Sequence, residues 1–245
     1  MSQRKALLTG IVVGHRSGLF LLWLVGYYLL LPYIGWFGKV LPLFNAELLQ
    51  VLLFLGILLT GIRAVSENPK HFRMGLAIGV PTMIADWVAF FIASPGLDVG
   101  IQIAYLLFVG YVGIMVFGYV VVPGEVNPDK IFAAISVYIL IGLGFSVVYG
   151  IFEYIQPGSF SGLSAEGVGR NSAELLYYSF VTLTALGYGE ITPVAPQVRS
   201  LAAIEAMMGI FYIAIMVARL VALYSQGGKK QSVSGLPPRH QGHQD

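Results

Sequence analysis

Hydrophobic residues fall in long unbroken runs along this chain, separated by short stretches where Gly, Pro and charged residues gather. Runs of about 20 apolar residues are what a helix needs to cross the hydrocarbon of a bilayer. Six such runs predict six membrane-spanning helices, near 19–37, 44–65, 72–93, 100–122, 131–154 and 200–224. Pro123 stops the fourth run, and Pro81 should bend the third, because proline removes a helical donor and crowds the preceding turn. The short apolar run 6–13, flanked by Arg4, Lys5, His15 and Arg16, is too short to span and reads as an interfacial helix. Segment 172–183 (SAELLYYSFVTL) reads as a helix of about three turns. It runs directly into 182–193, which is too polar and too rich in glycine to continue the helix. Residues 226–245 turn polar and predict a disordered tail, having too few apolar side chains to bury.

Composition fixes the class. Of 245 residues, 57% are hydrophobic and 11% charged, which indicates an integral, all-α membrane protein rather than a soluble domain. With no cysteine, disulfides and thiolate metal sites are excluded. The net charge of +2 gives no indication of nucleic-acid binding; the cations are instead sorted by topology. With a cytoplasmic N-terminus, Arg4, Lys5, Arg16, Arg63, Lys70, Arg73, Lys130, Arg219, Lys229, Lys230 and Arg239 lie inside. Only Lys39, Arg170 and Arg199 lie outside. The excess of inside cations predicts a multi-pass protein of an inner or plasma membrane, with both termini cytoplasmic and 182–193 at the outer face. The fourth run carries no Lys or Arg. Because voltage sensing needs several charges moved through the field, little intrinsic voltage sensitivity is expected. Its glycines, Gly110, Gly113 and Gly118, suit close helix packing. No paired acid, nucleophile–base pair or phosphate loop is visible, so neither an enzyme nor a cofactor is expected.

The stretch Thr182-Leu183-Thr184-Ala185-Leu186-Gly187-Tyr188-Gly189-Glu190 resembles the pore-loop signature TxTTVGYGD of the potassium-channel family. It matches at Thr182, Thr184, Gly187, Tyr188 and Gly189 and departs at Ala185, Leu186 and Glu190. The resemblance implies a pore module over 125–225: outer helix, exposed turret, pore helix, selectivity filter and inner helix. A four-helix module without voltage-sensor arginines precedes it over 1–124, and the 226–245 tail follows. In such a pore, backbone carbonyls replace the water that a potassium ion sheds. By resemblance, the backbone of Ala185, Leu186, Gly187, Tyr188 and Gly189 coordinates K⁺. Aiming successive carbonyls at one axis requires alternation with positive φ, which glycine adopts cheaply. One filter strand encloses nothing, so a homotetramer is implied. The expected function is passive, potassium-selective conduction. The alternatives are a weakly selective or nonselective cation channel, suggested by Ala185 in place of a filter threonine, and a non-conducting scaffold with a vestigial pore.

The supporting residues follow. Tyr177 and Tyr178 stand where the family places an aromatic pair that cuffs the filter, and Tyr188 is expected to brace it against aromatics. Thr182, Thr184, Glu190 and Glu205 are further candidates for filter support. Glu190 either hydrogen-bonds the pore helix or draws cations to the mouth. Glu174 suits the positive end of the pore helix. Glu205 should face the back of the filter, with Thr182, Thr184 or a backbone group as partner. Asp86, an acid within the third run, is either paired with a buried partner or a proton-sensitive gate. Gly209, twenty residues after Gly189, is a hinge or a close-packing glycine. Below it, Ile213, Val217 and Val221 are candidates for the cavity wall and gate.

Overall fold

The computed structural model describes residues 16–33, 46–65, 69–91, 95–122, 127–164 and 173–234. Within them the chain is helical apart from the stretches 156–164 and 184–195, which carry two very short strands. In chain order the elements are α1 (Arg16–Leu30, extended by a 3-10 turn Leu31–Tyr33), α2 (Ala46–Val65), α3 (Pro69–Phe91), α4 (Pro95–Val121), α5 (Pro128–Ile155), β1 (Phe160–Ser161), α6 (Ala173–Leu183), β2 (Thr192–Pro193) and α7 (Pro196–Ser234). Among the described residues, three stretches are long and apolar enough to cross a membrane: Gly96–Val121, Pro128–Ile155 and Pro196–Arg219. The interfacial helix expected at 6–13 lies outside the described residues.

Helix ends follow local chemistry. Pro128 opens α5 with its φ already helical, and the Asn127 side chain accepts the Lys130 amide at 2.9 Å as N-cap. Helix α3 runs through Pro81 without interruption. Helix α7 continues to Ser234, past residue 226, where polarity predicts the tail to begin. Polar composition deprives a segment of a core, but it does not stop a helix already nucleated by an apolar stretch from propagating. Residues 235–245 lie outside the described residues.

The core lies where α1, α2 and α4 pack together and against α5. Phe20, Leu24, Phe54, Leu58, Phe108, Val112 and Val116 meet Ala133, Val137 and Leu140. Phe54 sits edge-on to Tyr105 and Phe108, at centroid separations of 4.8 and 5.3 Å. From α1, Tyr28 reaches Phe180 of α6 at 4.8 Å, so the N-terminal helices touch the short helix directly. Close helix approach is made at Gly56, which faces the Trp23 ring, and at Gly79, which faces Leu58. At Gly110, Gly113 and Gly118 an added Cβ would meet nothing within 4 Å among the described residues, so the packing role expected for those three finds no partner within one chain.

At the α4–α5 junction, Asp129 gathers three donors: the Ser17 amide at 2.9 Å, the Ser17 hydroxyl at 3.0 Å and the Tyr119 phenol at 3.2 Å. One carboxylate thereby ties together the start of α1, the end of α4 and the start of α5. Beside it, Lys130 Nζ donates to the Val122 carbonyl at 3.2 Å, and Arg219 of α7 donates to the Val121 carbonyl. Cations beside the last carbonyls of α4 match the negative end of its dipole.

Candidate functional site

The chain between α5 and α7 forms the candidate site. Beyond α5, residues Pro157 and Gly158 turn the backbone. Glu153, buried in the last turn of α5, catches the amides of Gly158 at 2.8 Å and Phe160 at 3.1 Å. An acid at a helix C-terminus opposes the dipole, and the two captured amides compensate. Strand β1 then pairs antiparallel with β2, Phe160 opposite Pro193 and Ser161 opposite Thr192. The turret is therefore not loop throughout. Its first part is clasped to the segment that leads into α7, with Ser159 and Phe160 buried. Gly162, at φ +90°, lies against the Glu190 carbonyl so closely that an added Cβ would collide with it.

Behind this clasp, three rings pack edge to face: Tyr149 of α5, Phe160 of β1 and Tyr178 of α6. Their centroids lie 5.4, 5.2 and 5.1 Å apart, pair by pair. Edge-to-face pairs of this kind are worth about 0.5–1.5 kcal/mol beyond their burial, so the triangle fixes α6 against α5. The adjacent residue, Tyr177, points to the other side, where its phenol donates to Glu190 Oε1. That bond holds the Tyr177 phenol up at about 12, so it remains a donor. The expected aromatic pair is thus divided between a buried ring and an outer latch. Glu174, in the first turn of α6, accepts the Ser164 amide at 2.9 Å and hydroxyl at 2.6 Å.

Helix α6 ends at Leu183, and the chain then becomes an extended strap. Thr184 turns its hydroxyl back to the Phe180 carbonyl at 2.6 Å. The Thr182 and Tyr178 side chains are hydrogen-bonded to each other. The Ala185 amide bonds the Thr182 carbonyl at 2.9 Å, and the Leu186 and Gly187 amides bond the Val181 carbonyl at 2.9 and 3.4 Å. Positive φ recurs at every second residue: 56° at Ala185, 62° at Gly187 and 88° at Gly189. Sequence reasoning finds the two glycines but not Ala185, since nothing in an alanine signals a left-handed backbone. A single such non-glycine residue costs about 1–2 kcal/mol, which the bonds flanking it help to offset. Leu186 and Tyr188 are 55% and 66% exposed. Tyr188 therefore stands apart from the aromatic triangle instead of bracing the strap within this chain.

Glu205 of α7 is fully buried behind the strap. Its partners are the Tyr149 phenol, 2.5 Å from Oε2, and the Ser179 hydroxyl at Oε1, not Thr182 or Thr184. Neither partner stands out in the sequence. One turn on, Gly209 lies against the Leu183 carbonyl, and an added Cβ would collide with that oxygen. Ile213, Val217 and Val221 are exposed on one stripe of α7. Asp86 lies within α3, but its side chain is outside the described residues. Among the described residues no group of three or more His, Cys, Asp or Glu side chains could hold a metal ion.

A short helix and an extended strap bracketed by two bilayer-length apolar helices define a membrane channel. The sequence matches the ion-channel family over residues 149–226, from the end of α5 through the strap and into α7. It is also 31% identical to Protein LctB of Geobacillus stearothermophilus over 96 residues, which cover 38% of this chain and 71% of that protein. No solved structure matches it. The chain belongs to this ion-channel family and is a membrane-embedded channel, not an enzyme.

Proposed function

We propose that four copies of this chain assemble around one axis and conduct potassium passively, with the strap 185–189 as the selectivity filter. The observation that carries this reading is the alternation of positive φ at Ala185, Gly187 and Gly189. It gives the strap the recurring two-residue backbone that a row of carbonyls facing a dehydrated cation requires. Non-helical backbone at membrane depth is tolerated only when buried in protein or lining a water-filled cavity. The exposure of Leu186 and Tyr188 in a single chain supports burial by neighbouring copies. In this reading α1–α5 and α7 are the six spans, both termini are cytoplasmic in an inner or plasma membrane, and Ile213, Val217 and Val221 line the inner cavity. Gly209 packs against α6 at the level of the filter base. Glu190 both latches Tyr177 and places negative charge at the outer mouth.

A second reading, weak selectivity among monovalent cations, rests on Ala185, whose methyl group offers no hydroxyl to the innermost site. Rubidium uptake into liposomes holding purified protein tests conduction, and reversal potentials under opposed Na⁺ and K⁺ gradients test selectivity. A strongly K⁺-shifted reversal potential is expected. Equal permeability would move the assignment to the second reading, and no flux would overturn both.

A further inference from the structure

Ser179 sits in a fully buried position on α6, where its Oγ lies 2.7 Å from the carbonyl oxygen of Gly142 on α5 and in contact with Glu205 Oε1 on α7. A serine hydroxyl carries one hydrogen, and a backbone carbonyl only accepts. If Ser179 donates to Gly142, the hydrogen in the second contact must come from Glu205. If Ser179 donates to Glu205 instead, its oxygen and the Gly142 carbonyl oxygen lie 2.7 Å apart with no hydrogen between them. Two lone-pair-bearing oxygens at that distance repel, and the low dielectric of a buried site strengthens the repulsion.

The surroundings point the same way. Glu205 is 0% exposed, and its other oxygen is already taken by the Tyr149 phenol at 2.5 Å. Among the described residues, the titratable groups facing it are Tyr138 and Tyr149 on α5 and Tyr178 on α6. All are phenols, and none supplies positive charge. A buried carboxylate without a compensating cation is among the most costly arrangements a protein interior can hold.

We infer that Glu205 is a neutral carboxylic acid in the working channel, whose Oε1–H donates to Ser179 while Oε2 accepts from Tyr149. The hydrogen bonds then close without a gap: Tyr149 to Glu205, Glu205 to Ser179, and Ser179 to Gly142. A single proton thereby joins α5, α6 and α7 four residues before α6 ends. Glu205 is a positioning residue, acting through α6 on the strap. Losing that proton would make Ser179 choose between Glu205 and Gly142, so one of the links between helices must break. Flux should therefore fall as the solution is made alkaline. The protonation itself does not depend on potassium being the permeant ion; only the flux readout rests on the proposed function.

The test pairs infrared spectroscopy of the purified full chain with rubidium flux. The wild-type-minus-Glu205→Gln difference spectrum at neutral pH should show the carbonyl stretch of a protonated carboxylic acid, and that band should vanish under alkali. Glutamine reproduces both bonds without ionising, its amide donating to Ser179 and its carbonyl accepting from Tyr149. Glu205→Gln should therefore keep its flux at neutral pH and lose the alkaline decline. Ser179→Ala removes the acceptor and should lower flux at all pH values. Absence of the acid band from wild type overturns the assignment, whether or not the variants fold. A band present alongside an alkaline decline that persists in Glu205→Gln overturns the positioning role. A wild type with the band but no flux at any pH instead overturns the proposed function, and keeps the protonation.

Discussion

Replacing Gly209 with alanine separates the two roles a glycine can play in α7. A flexible joint with room beside it would gain from the change, because alanine is favoured over glycine in a helix interior by about 0.8–1.0 kcal/mol. Here the new methyl group would collide with the Leu183 carbonyl oxygen. That obstacle is backbone, at the last turn of α6, and it already accepts the Tyr138 phenol at 3.2 Å; it cannot swing aside as a side chain would. Inserting a methyl group into a well-packed site costs about 1–3 kcal/mol. A backbone obstacle belongs at the upper end, leaving a net loss of about 1–2 kcal/mol per chain. At about 2–4 °C per kcal/mol for a chain of this size, the midpoint of thermal unfolding should fall by about 2–8 °C. The assay is the melting of purified channel in detergent, followed by loss of the soluble peak on gel filtration. Gly26→Ala is the control, since nothing lies within 4 Å of its added Cβ; its midpoint should hold or rise. A higher midpoint for Gly209→Ala would refute the packing argument and restore the joint.

Other outcomes follow from the same geometry. Gly162→Ala puts a side chain at φ +90° and into the Glu190 carbonyl; it should prevent closure of the β1–β2 clasp and be seen as loss of the assembled peak on gel filtration. Phe160→Ala opens the aromatic triangle and should destabilise by about 3–5 kcal/mol, read from the shift in thermal midpoint. Ala185→Thr restores at φ 56° the hydroxyl that the potassium-channel signature carries at this position. The reversal potential under opposed Na⁺ and K⁺ gradients should shift further towards K⁺, and an unchanged value would show that Ala185 does not limit selectivity. Glu190→Gln keeps an acceptor for Tyr177 and removes the charge at the mouth. Single-channel conductance should drop at low salt and converge with wild type at high salt, where screening removes the difference; no drop at low salt would leave Glu190 with the latch alone.

The helices were legible because their signal is cumulative: runs as long as those of α4, α5 and α7 cannot be mistaken for anything soluble. The strap was legible because Gly187 and Gly189 are where a backbone of alternating hand needs glycine. What escaped were partnerships between single polar residues far apart in sequence. Glu205 attracts notice as an acid in an apolar run, but nothing local to Ser179 or Tyr149 announces them as its partners, 26 and 56 positions away. Glu153 escaped for a different reason: at the end of an apolar helix it reads as an ordinary interfacial charge, and only the turn at Gly158 reveals what it holds. The clasp of β1 and β2 is two residues long on each side, below the length at which alternation can be seen. The division of Tyr177 from Tyr178 is simple helical geometry, about 100° between neighbours, yet which face was inward depended on Phe160 arriving from outside the helix.

The clasp and the Glu174–Ser164 bonds also have a practical side. Together they tie Phe160 and Ser161 to β2 and Ser164 to the first turn of α6, so a change of length between Ser164 and Ala173 meets an anchor on either side. Lengthening a loop between fixed ends costs only about 0.6 kcal/mol per doubling. An epitope, a fluorophore-ready cysteine in this otherwise thiol-free chain, or a binding peptide placed between those anchors gives a handle by which the channel can be counted, captured or oriented on a surface.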